Sequence, residues 1–396
     1  MAESPVLRPI LTLNAIASIG LQRFPTERYR LGNDVADPEA ILVRSHDMHA
    51  MDIPFSVRAI GRAGAGTNNI PVEKMNGRGV PVFNAPGANA NAVKELVIAA
   101  MLIAARNLLP AARFVDDLKG DDKALHKLVE DGKKQFAGIE LPGRTLGVIG
   151  LGKIGNLVAD AAIKLGMDVL GYDPEITVDA AWSLSSKVRK AHSVEEVLKA
   201  ADFVTLHVPL VSATRNLLNA ERVQMMKKGA ALLNFSRDGI VDNDAVLAGL
   251  KAKILRAYVC DFPAQSMTGH PQIVALPHLG ASTREAEDNC AVMVADQVRD
   301  FLENGNIRNA VNFADVAMSR ESAYRVAIAN ANVPNMVGQI STALARAGLN
   351  IHNMLNKSRG DLAYTLVDVD SAVPDALIAE LAAISGVLAV RYLPAI

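Results

Sequence analysis

The 396-residue sequence predicts an α/β protein of two doubly wound lobes on parallel sheets, followed by a small C-terminal α+β module. Three observations lead there. Short apolar runs alternate with amphipathic helical stretches through the middle of the chain, and the same alternation recurs over the first hundred residues. Beyond Ala323 the order changes to β-α-β-β-α-β. A chain of this length exceeds what one hydrophobic core usually serves.

In the first lobe Ala40–Arg44, Val57–Ala63 and Val80–Asn84 are strand-like runs ending in polar or glycine residues. A domain boundary is expected near Val93. Leu96–Ala105 is apolar for ten residues and then meets Arg106, well short of the roughly 20 that a membrane span requires, so it reads as a buried helix. A helix over Val93–Ala112 carries more apolar surface than a monomer's exterior tolerates, which points to a homodimer at least. Asp116 to Gly138, dense in Lys and Asp, reads as exposed helix and loop between the lobes.

The second lobe holds six candidate strands: Thr145–Ile149, Val169–Tyr172, Phe203–His207, Ala231–Asn234, Ala257–Asp261 and Ile273–Leu276. Ligands of open α/β sheets bind at the carboxyl ends of the strands, so the site is expected there. The C-terminal module reads as strand Tyr324–Ala329, a helix from Pro334, strands Asn350–Leu355 and Leu362–Val369, helix Pro374–Ala383 and strand Val387–Tyr392. That is a ferredoxin-like unit able to fold alone.

Composition excludes several classes. The formal net charge is −1 and aromatics are 4%, leaving neither an electrostatic footprint nor a stacking surface for nucleic acid. Cys260 and Cys290, 30 residues apart without metal-ligand spacing, read as free buried thiols in a reducing compartment. Glu3 and Pro5 stand where a signal peptide would carry a basic flank and a long apolar run, so a cytoplasmic protein is expected.

Gly150-Leu151-Gly152-Lys153-Ile154-Gly155 follows a strand and opens a helix, the context that makes GxGxxG a Rossmann dinucleotide fingerprint. The first glycine permits the turn, the second admits the pyrophosphate, and the third allows helix to approach strand. Asp173 lies 23 residues past Gly150, where an acid binds the ribose hydroxyl and repels a 2′-phosphate; no Arg or Lys follows until Lys187, so NAD is favoured over NADP.

Oxidising a hydroxy acid with such a cofactor requires a base for the hydroxyl proton and a cation for the carboxylate. Arg237, in Asn234-Phe235-Ser236-Arg237-Asp238-Gly239, and His278, in Pro277-His278-Leu279-Gly280-Ala281-Ser282, both follow strands. Position alone leaves open a surface arginine in a turn and a structural histidine. Ser282 and Glu285 have the spacing of a capping box for the helix beyond.

Arg44-Ser45, Gly61-Arg62-Ala63-Gly64-Ala65-Gly66, Phe83-Asn84-Ala85-Pro86, the glycine loop, Asn234 to Asp242 and Pro277 to Thr283 settle a resemblance. Over nearly its whole length the chain resembles the D-isomer-specific 2-hydroxy-acid dehydrogenases, in the branch with a C-terminal ACT domain. The resemblance implies oxidation of 3-phospho-D-glycerate to 3-phosphohydroxypyruvate with NAD, the first step of serine biosynthesis. It makes His278 the acid/base and Arg237 the residue that positions substrate. Gly150, Gly152, Lys153, Ile154, Gly155 and Asp173 would bind NAD, with Ser236, Asp261 and Gly280 on the nicotinamide side. The substrate phosphate and carboxylate would fall to Arg44, Ser45, Ala65, Gly66 and Asn89. The chain then divides into a substrate lobe (1–92 and 284–315), an NAD-binding Rossmann domain (93–283) and an ACT domain (322–396), assembled as a homodimer or homotetramer. No metal is implied. Competing readings are a dehydrogenase for another phosphorylated D-2-hydroxy acid, and an NAD-sensing protein on the same fold; retention of Arg237 and His278 argues against the latter.

Two departures stand out. The family has a glutamate shortly after Asp-x-Phe-Pro that orients and charges the histidine. Here Asp261-Phe262-Pro263-Ala264-Gln265-Ser266-Met267 offers none, and no Asp or Glu occurs from Phe262 to Pro277. Gln265 orients the ring, or Glu285 or Glu287 substitutes, or the reaction differs. In the module the family's L-serine contacts fall on Asn330, Asn332 and Asn350, but the usual His is Asn330 and the usual Gly after Pro334 is Asn335.

Overall fold

The structure, a computed structural model, describes residues 7–395. Glu3 and Pro5, which carry the expectation about export, lie outside the described residues. The chain forms two compact units: one joins the chain up to Asn89 with everything from Arg284, and the other is Ala90–Thr283.

In the first unit β1 (Arg8–Leu13), β2 (Tyr29–Gly32), β3 (Ala40–Val43), β4 (Ala59–Arg62) and β5 (Val82–Phe83) form a parallel sheet in the order β2-β1-β3-β4-β5. All of β3 is buried, as a strand covered on both faces must be. The 21-residue helix Arg284–Asn304 packs on this sheet through Val294 and Val298. Gly61 in β4 makes room for it: a Cβ there would stand 2.7 Å from Val294 and 2.8 Å from Val298. Because the helix begins at Arg284, its N-cap position falls on Thr283, so the expected Ser282/Glu285 capping box is one residue out of register.

The C-terminal module belongs to the same unit. Strands β13 (Tyr324–Ala331), β14 (Ile351–Arg359), β15 (Leu362–Val369) and β16 (Val387–Pro394) are added to the chain's series after seven strands of the second unit. They form an antiparallel sheet ordered β14-β15-β13-β16. With helices Met336–Arg346 and Asp375–Ala383, the order is β-α-β-β-α-β. Strand alternation divides its apolar residues between two cores. Val326, Ile328 and Val367 face the module's helices, whereas Ala327, Ala329, Tyr364 and Leu366 join Phe301 and Phe313 in the lobe's core. A fully buried Arg325–Asp368 pair, 2.6 Å apart, reinforces that junction, with Arg325 also donating to the carbonyls of Asn304, Met318 and Ser319.

The second unit contains β6 (Thr145–Ile149), β7 (Asp168–Tyr172), β8 (Val188–Lys190), β9 (Phe203–Leu206), β10 (Ala230–Asn234), β11 (Leu255–Cys260) and β12 (Ile273–Ala275). They are parallel, in the order β12-β11-β10-β9-β6-β7-β8, so the winding reverses between β6 and β9. Helix Ala90–Arg106 buries Val97, Ala100, Met101, Ala104 and Ala105 against the sheet. The helix expected to continue to Ala112 breaks at Asn107, left-handed at φ 52°, and a second helix runs over Leu108–Asp116. Asp116–Gly138 is exposed helix and turn, but it lies inside the second unit rather than between lobes. Phe136 meets Phe114 at 5.2 Å, and Ile139 N–H donates to Ala105 O at 2.8 Å. Cys260 and Cys290 are both buried and unpaired. Among the described residues no helix is long and apolar enough to cross a membrane, and no cluster of potential metal ligands occurs.

Candidate active site

Each glycine of the loop after β6 has a separate geometric reason. Gly150 is at φ +93°, and a Cβ there would lie 2.6 Å from the carbonyl oxygen of His207 on the neighbouring strand end. Gly155 sits so close that a Cβ would collide with the Gly150 carbonyl. Nothing stands within 4 Å of a Cβ at Gly152. The open face at Gly152, at the start of helix Lys153–Lys164, is the cradle that a pyrophosphate requires.

Asp173, at the end of β7, braces that loop: its Oδ2 accepts the Leu151 N–H at 2.8 Å and its Oδ1 accepts the Glu175 N–H at 2.9 Å. The carboxylate thus starts a turn across Pro174 and also stands at the glycine loop. Asp173→Ala is expected to weaken NADH binding by about tenfold or more and to narrow the preference over NADPH. Calorimetric titration of NADH and NADPH into both proteins measures the change. Equal use of NADPH and NADH by the wild type would remove the role assigned to Asp173.

Along the same carboxyl edge the loop after β10 is tied down by Asn234, whose Oδ1 accepts Ser236 N–H at 3.2 Å and whose Nδ2 donates to Arg237 O at 3.1 Å. Ser236 Oγ donates to Val208 O. Arg237 is left exposed, bonded only to the Ser236 carbonyl at 2.7 Å. After β11, Asp261 is 1% exposed; one carboxylate oxygen accepts Gly280 N–H at 3.1 Å and the other has no partner. Burial pushes its pKa up, while the charges of His278 and Arg237 and the Gly280 bond pull against that. His278 N–H is shared between the carbonyls of Asp261 (3.1 Å) and Leu276 (3.0 Å), which holds the residue at φ +51°, a left-handed conformation that side chains rarely adopt. Asp261, Gly280, His278 and Arg237 form one electrostatic group.

In the first unit, β3 and β4 are neighbours, and their carboxyl ends bring Arg44 and Ser45 beside the Ala65-Gly66 turn. Asn84 Nδ2 ties that turn through Ala65 O at 2.5 Å, and the Arg44 carbonyl accepts from Arg62 Nε at 3.0 Å. Arg44 donates to Glu287 Oε1 at 2.6 Å, a bond that raises the arginine's pKa and lowers that of the glutamate. Asn89 is half-buried in the turn that closes this unit's first segment.

Residues 98–280 match the family described as D-isomer specific 2-hydroxyacid dehydrogenase, NAD binding domain. A D-3-phosphoglycerate dehydrogenase of Haemophilus influenzae is 31% identical over 347 residues, covering 85% of this chain and 81% of the relative. The chain belongs to the D-isomer specific 2-hydroxyacid dehydrogenase family. The D-3-phosphoglycerate dehydrogenase of Methanocaldococcus jannaschii is 37% identical over 295 residues, 72% of this chain and 54% of that protein. The chain therefore spans about half the length of several curated relatives it matches. Among solved structures, one from Thermus thermophilus aligns at 27% identity and TM-score 0.60 over 76% of this chain and 99% of its own. An NAD+-bound 3-phosphoglycerate dehydrogenase from Entamoeba histolytica shares the fold at 24% identity and TM-score 0.59, over 78% of this chain and 99% of that one.

The glutamate that the resemblance leads one to expect is absent, and other groups surround the imidazole. Gln265, in the short turn Gln265–Met267, is exposed and forms no side-chain hydrogen bond to His278, which speaks against the alternative in which its amide orients the ring. The ring of Phe262 lies edge-on to the imidazole instead, 5.1 Å between centroids at 66°. Glu287 is held by Arg44, and Glu285 is an exposed residue in the first turn of its helix. The carboxyl on which the charge of His278 acts is Asp261, where it works against the rise that burial causes. Sequence reasoning places Asp261 at the cofactor and looks for the partner acid further along the chain.

His207 is a half-buried residue that sequence reasoning misses, since only its strand is recognised. Its Nε2 meets Thr205 Oγ1 at 3.0 Å, its Nδ1 is buried without a partner, and burial holds its pKa down to about 3. It stands where the strand order reverses, next to Gly150. A histidine ending an apolar strand beside a glycine loop is the available signal.

Proposed function

We propose that the protein oxidises 3-phospho-D-glycerate to 3-phosphohydroxypyruvate with NAD. The observation that carries this reading is the convergence of His278 and Arg237 on Asp261, at the same sheet edge as the glycine loop. The D-3-phosphoglycerate dehydrogenases among its relatives support the substrate. Gly150, Gly152, Lys153, Ile154, Gly155 and Asp173 hold the cofactor, with Ser236, Asp261 and Gly280 on the side of its reactive ring. NAD, when bound, accepts the C2 hydride. The His278 imidazole takes the hydroxyl proton as the C2–O bond becomes a carbonyl, and returns it in the reverse reaction. Arg237 offers a planar fork to the carboxylate and to the oxygen where charge develops. Asp261 anchors the loop bearing His278 by accepting the Gly280 N–H.

Arg44 and Ser45 serve the substrate phosphate, and Ala65, Gly66 and Asn89 the remaining contacts in this reading. Arg44→Ala is expected to raise KM for the phosphorylated substrate through loss of a charge-assisted pair of about 1.5–3 kcal/mol, a factor of about ten or more. Unphosphorylated 2-keto acids, assayed by NADH oxidation, should change little. Equal losses for both kinds of substrate would make Arg44 a structural or carboxylate residue.

The C-terminal module reads as an ACT domain. Asn330 is 1% exposed with its Oδ1 unpartnered, and Asn332 Nδ2 donates to Gly360 O at 3.0 Å. Asn350 lies at the opposite end of the sheet, its N–H on Asp370 Oδ1 at 3.2 Å. A ligand bridging all three therefore needs Asn350 from a second copy. Titrating L-serine against activity and thermal stability is expected to move both; no change in either would leave the module structural or tuned to another ligand.

A further inference from the structure

The C-terminal module and the first lobe, within one unit, enclose a cavity of about 480 Å³ that the proposed reaction does not use. Its charged lining is entirely cationic: Arg58 and Arg78 come from the lobe and Arg391 from β16, and no carboxylate lines it among the described residues. Phe55, Tyr364 and Leu388 supply apolar wall.

The two inner arginines lack carboxylate partners. Arg78 donates to the carbonyls of Ile53 (3.0 Å) and Pro54 (2.7 Å) and lies over the Phe55 ring at 5.0 Å. Arg391, 9% exposed, donates to the carbonyls of Phe301 (3.1 Å) and Leu302 (2.9 Å) and lies over the Phe301 ring at 4.6 Å. Each therefore retains N–H donors beyond those two bonds. Burial lowers the pKa of both, that of Arg391 to about 10; Tyr364 in the lining opposes this at Arg391, and the opposing carboxylates, Asp52 for Arg78 and Glu39 for Arg391, stand outside the lining. Arg58 is 3.7 Å from Glu39 and half exposed. A buried guanidinium without a carboxylate is costly, and an entering anion offsets that cost.

We propose that this cavity binds a small organic anion, a carboxylate with an apolar body, at a site separate from that of the substrate. The carboxylate matches the guanidinium forks, and the aromatic and aliphatic walls match the apolar body. Bound there, it joins Arg58 and Arg78 of the lobe to Arg391 of the module and strengthens their docking.

The test uses the full chain and 4-methylpentanoate, which has no oxygen at C2 and cannot be oxidised as a 2-hydroxy acid. Calorimetry should show one site per chain and thermal unfolding should move upward, whereas the neutral 4-methylpentanamide should do neither. Arg391→Met strips carbonyl bonds from a buried helix end and can fail to fold, so two milder variants carry the test. Arg58→Gln, which removes charge, and Ala382→Phe, which fills the cavity from an exposed position, should each weaken binding by about tenfold or more. Arg44→Ala should leave it unchanged. Absence of binding, equal binding of the amide, insensitivity to both milder variants, or loss of binding in Arg44→Ala would each overturn the proposal.

Discussion

Replacement of His278 by alanine is expected to lower kcat by about 10²–10⁴, the usual contribution of a positioned acid/base, with little change in NADH affinity. Burial raises the Asp261 pKa and the charge of His278 works against that, so the two groups stand close enough to interact. Asp261→Asn should lower kcat as well, because it replaces the carboxylate that accepts the Gly280 N–H and so anchors the loop bearing His278. Gln265→Glu should leave kcat near the wild-type value, since residue 265 is exposed and the ring of Phe262 meets the imidazole. An unchanged kcat in Asp261→Asn together with a changed one in Gln265→Glu would mean that the loop after β11 turns toward the ring when substrate is bound.

The second large effect concerns stability. His207 ordinarily titrates near 6.5 in an unfolded chain, and burial holds it down to about 3 in the folded one. The folded state therefore binds the proton more weakly. Its stability is intact above pH ~6.5 and falls as pH drops below that, by about 1.4 kcal/mol per pH unit, toward the folded value. Between pH ~6.5 and ~5 this one group should account for about 2 kcal/mol. Urea unfolding of wild type and His207→Gln at both pH values isolates it, because the remaining carboxylates titrate alike in the two proteins. A wild-type slope no steeper than the variant's would contradict the assignment.

What could be read in the sequence followed from the physics of each element. The strands that form the Rossmann sheet, such as Phe203–Leu206 and Ala230–Asn234, are continuous apolar runs because both faces are covered, and turn residues bound them. β1 was not legible because Pro9 interrupts its run, and β8 because Arg189 and Lys190 suit an exposed sheet edge. Asn107 ends a helix through backbone conformation alone, which apolar periodicity does not register. At the site, local loop geometry was legible: the glycine loop follows β6, and Arg237 lies in the loop after β10. The pairing of Asp261 with His278 was not, since it joins the ends of two adjacent strands that sequence distance separates. The docking of the C-terminal sheet was hidden for a similar reason: Ala327, Ala329 and Tyr364 look like the outer face of a free-standing module, yet they pack against Phe301 and Phe313.

The most direct test compares NAD reduction by the wild-type protein with 3-phospho-D-glycerate and with D-glycerate, under identical conditions. The account predicts kcat/KM for the phosphorylated acid higher by about tenfold or more, the value of a charge-assisted phosphate clamp. Equal kcat/KM for the two acids, or no NADH from either, would contradict it.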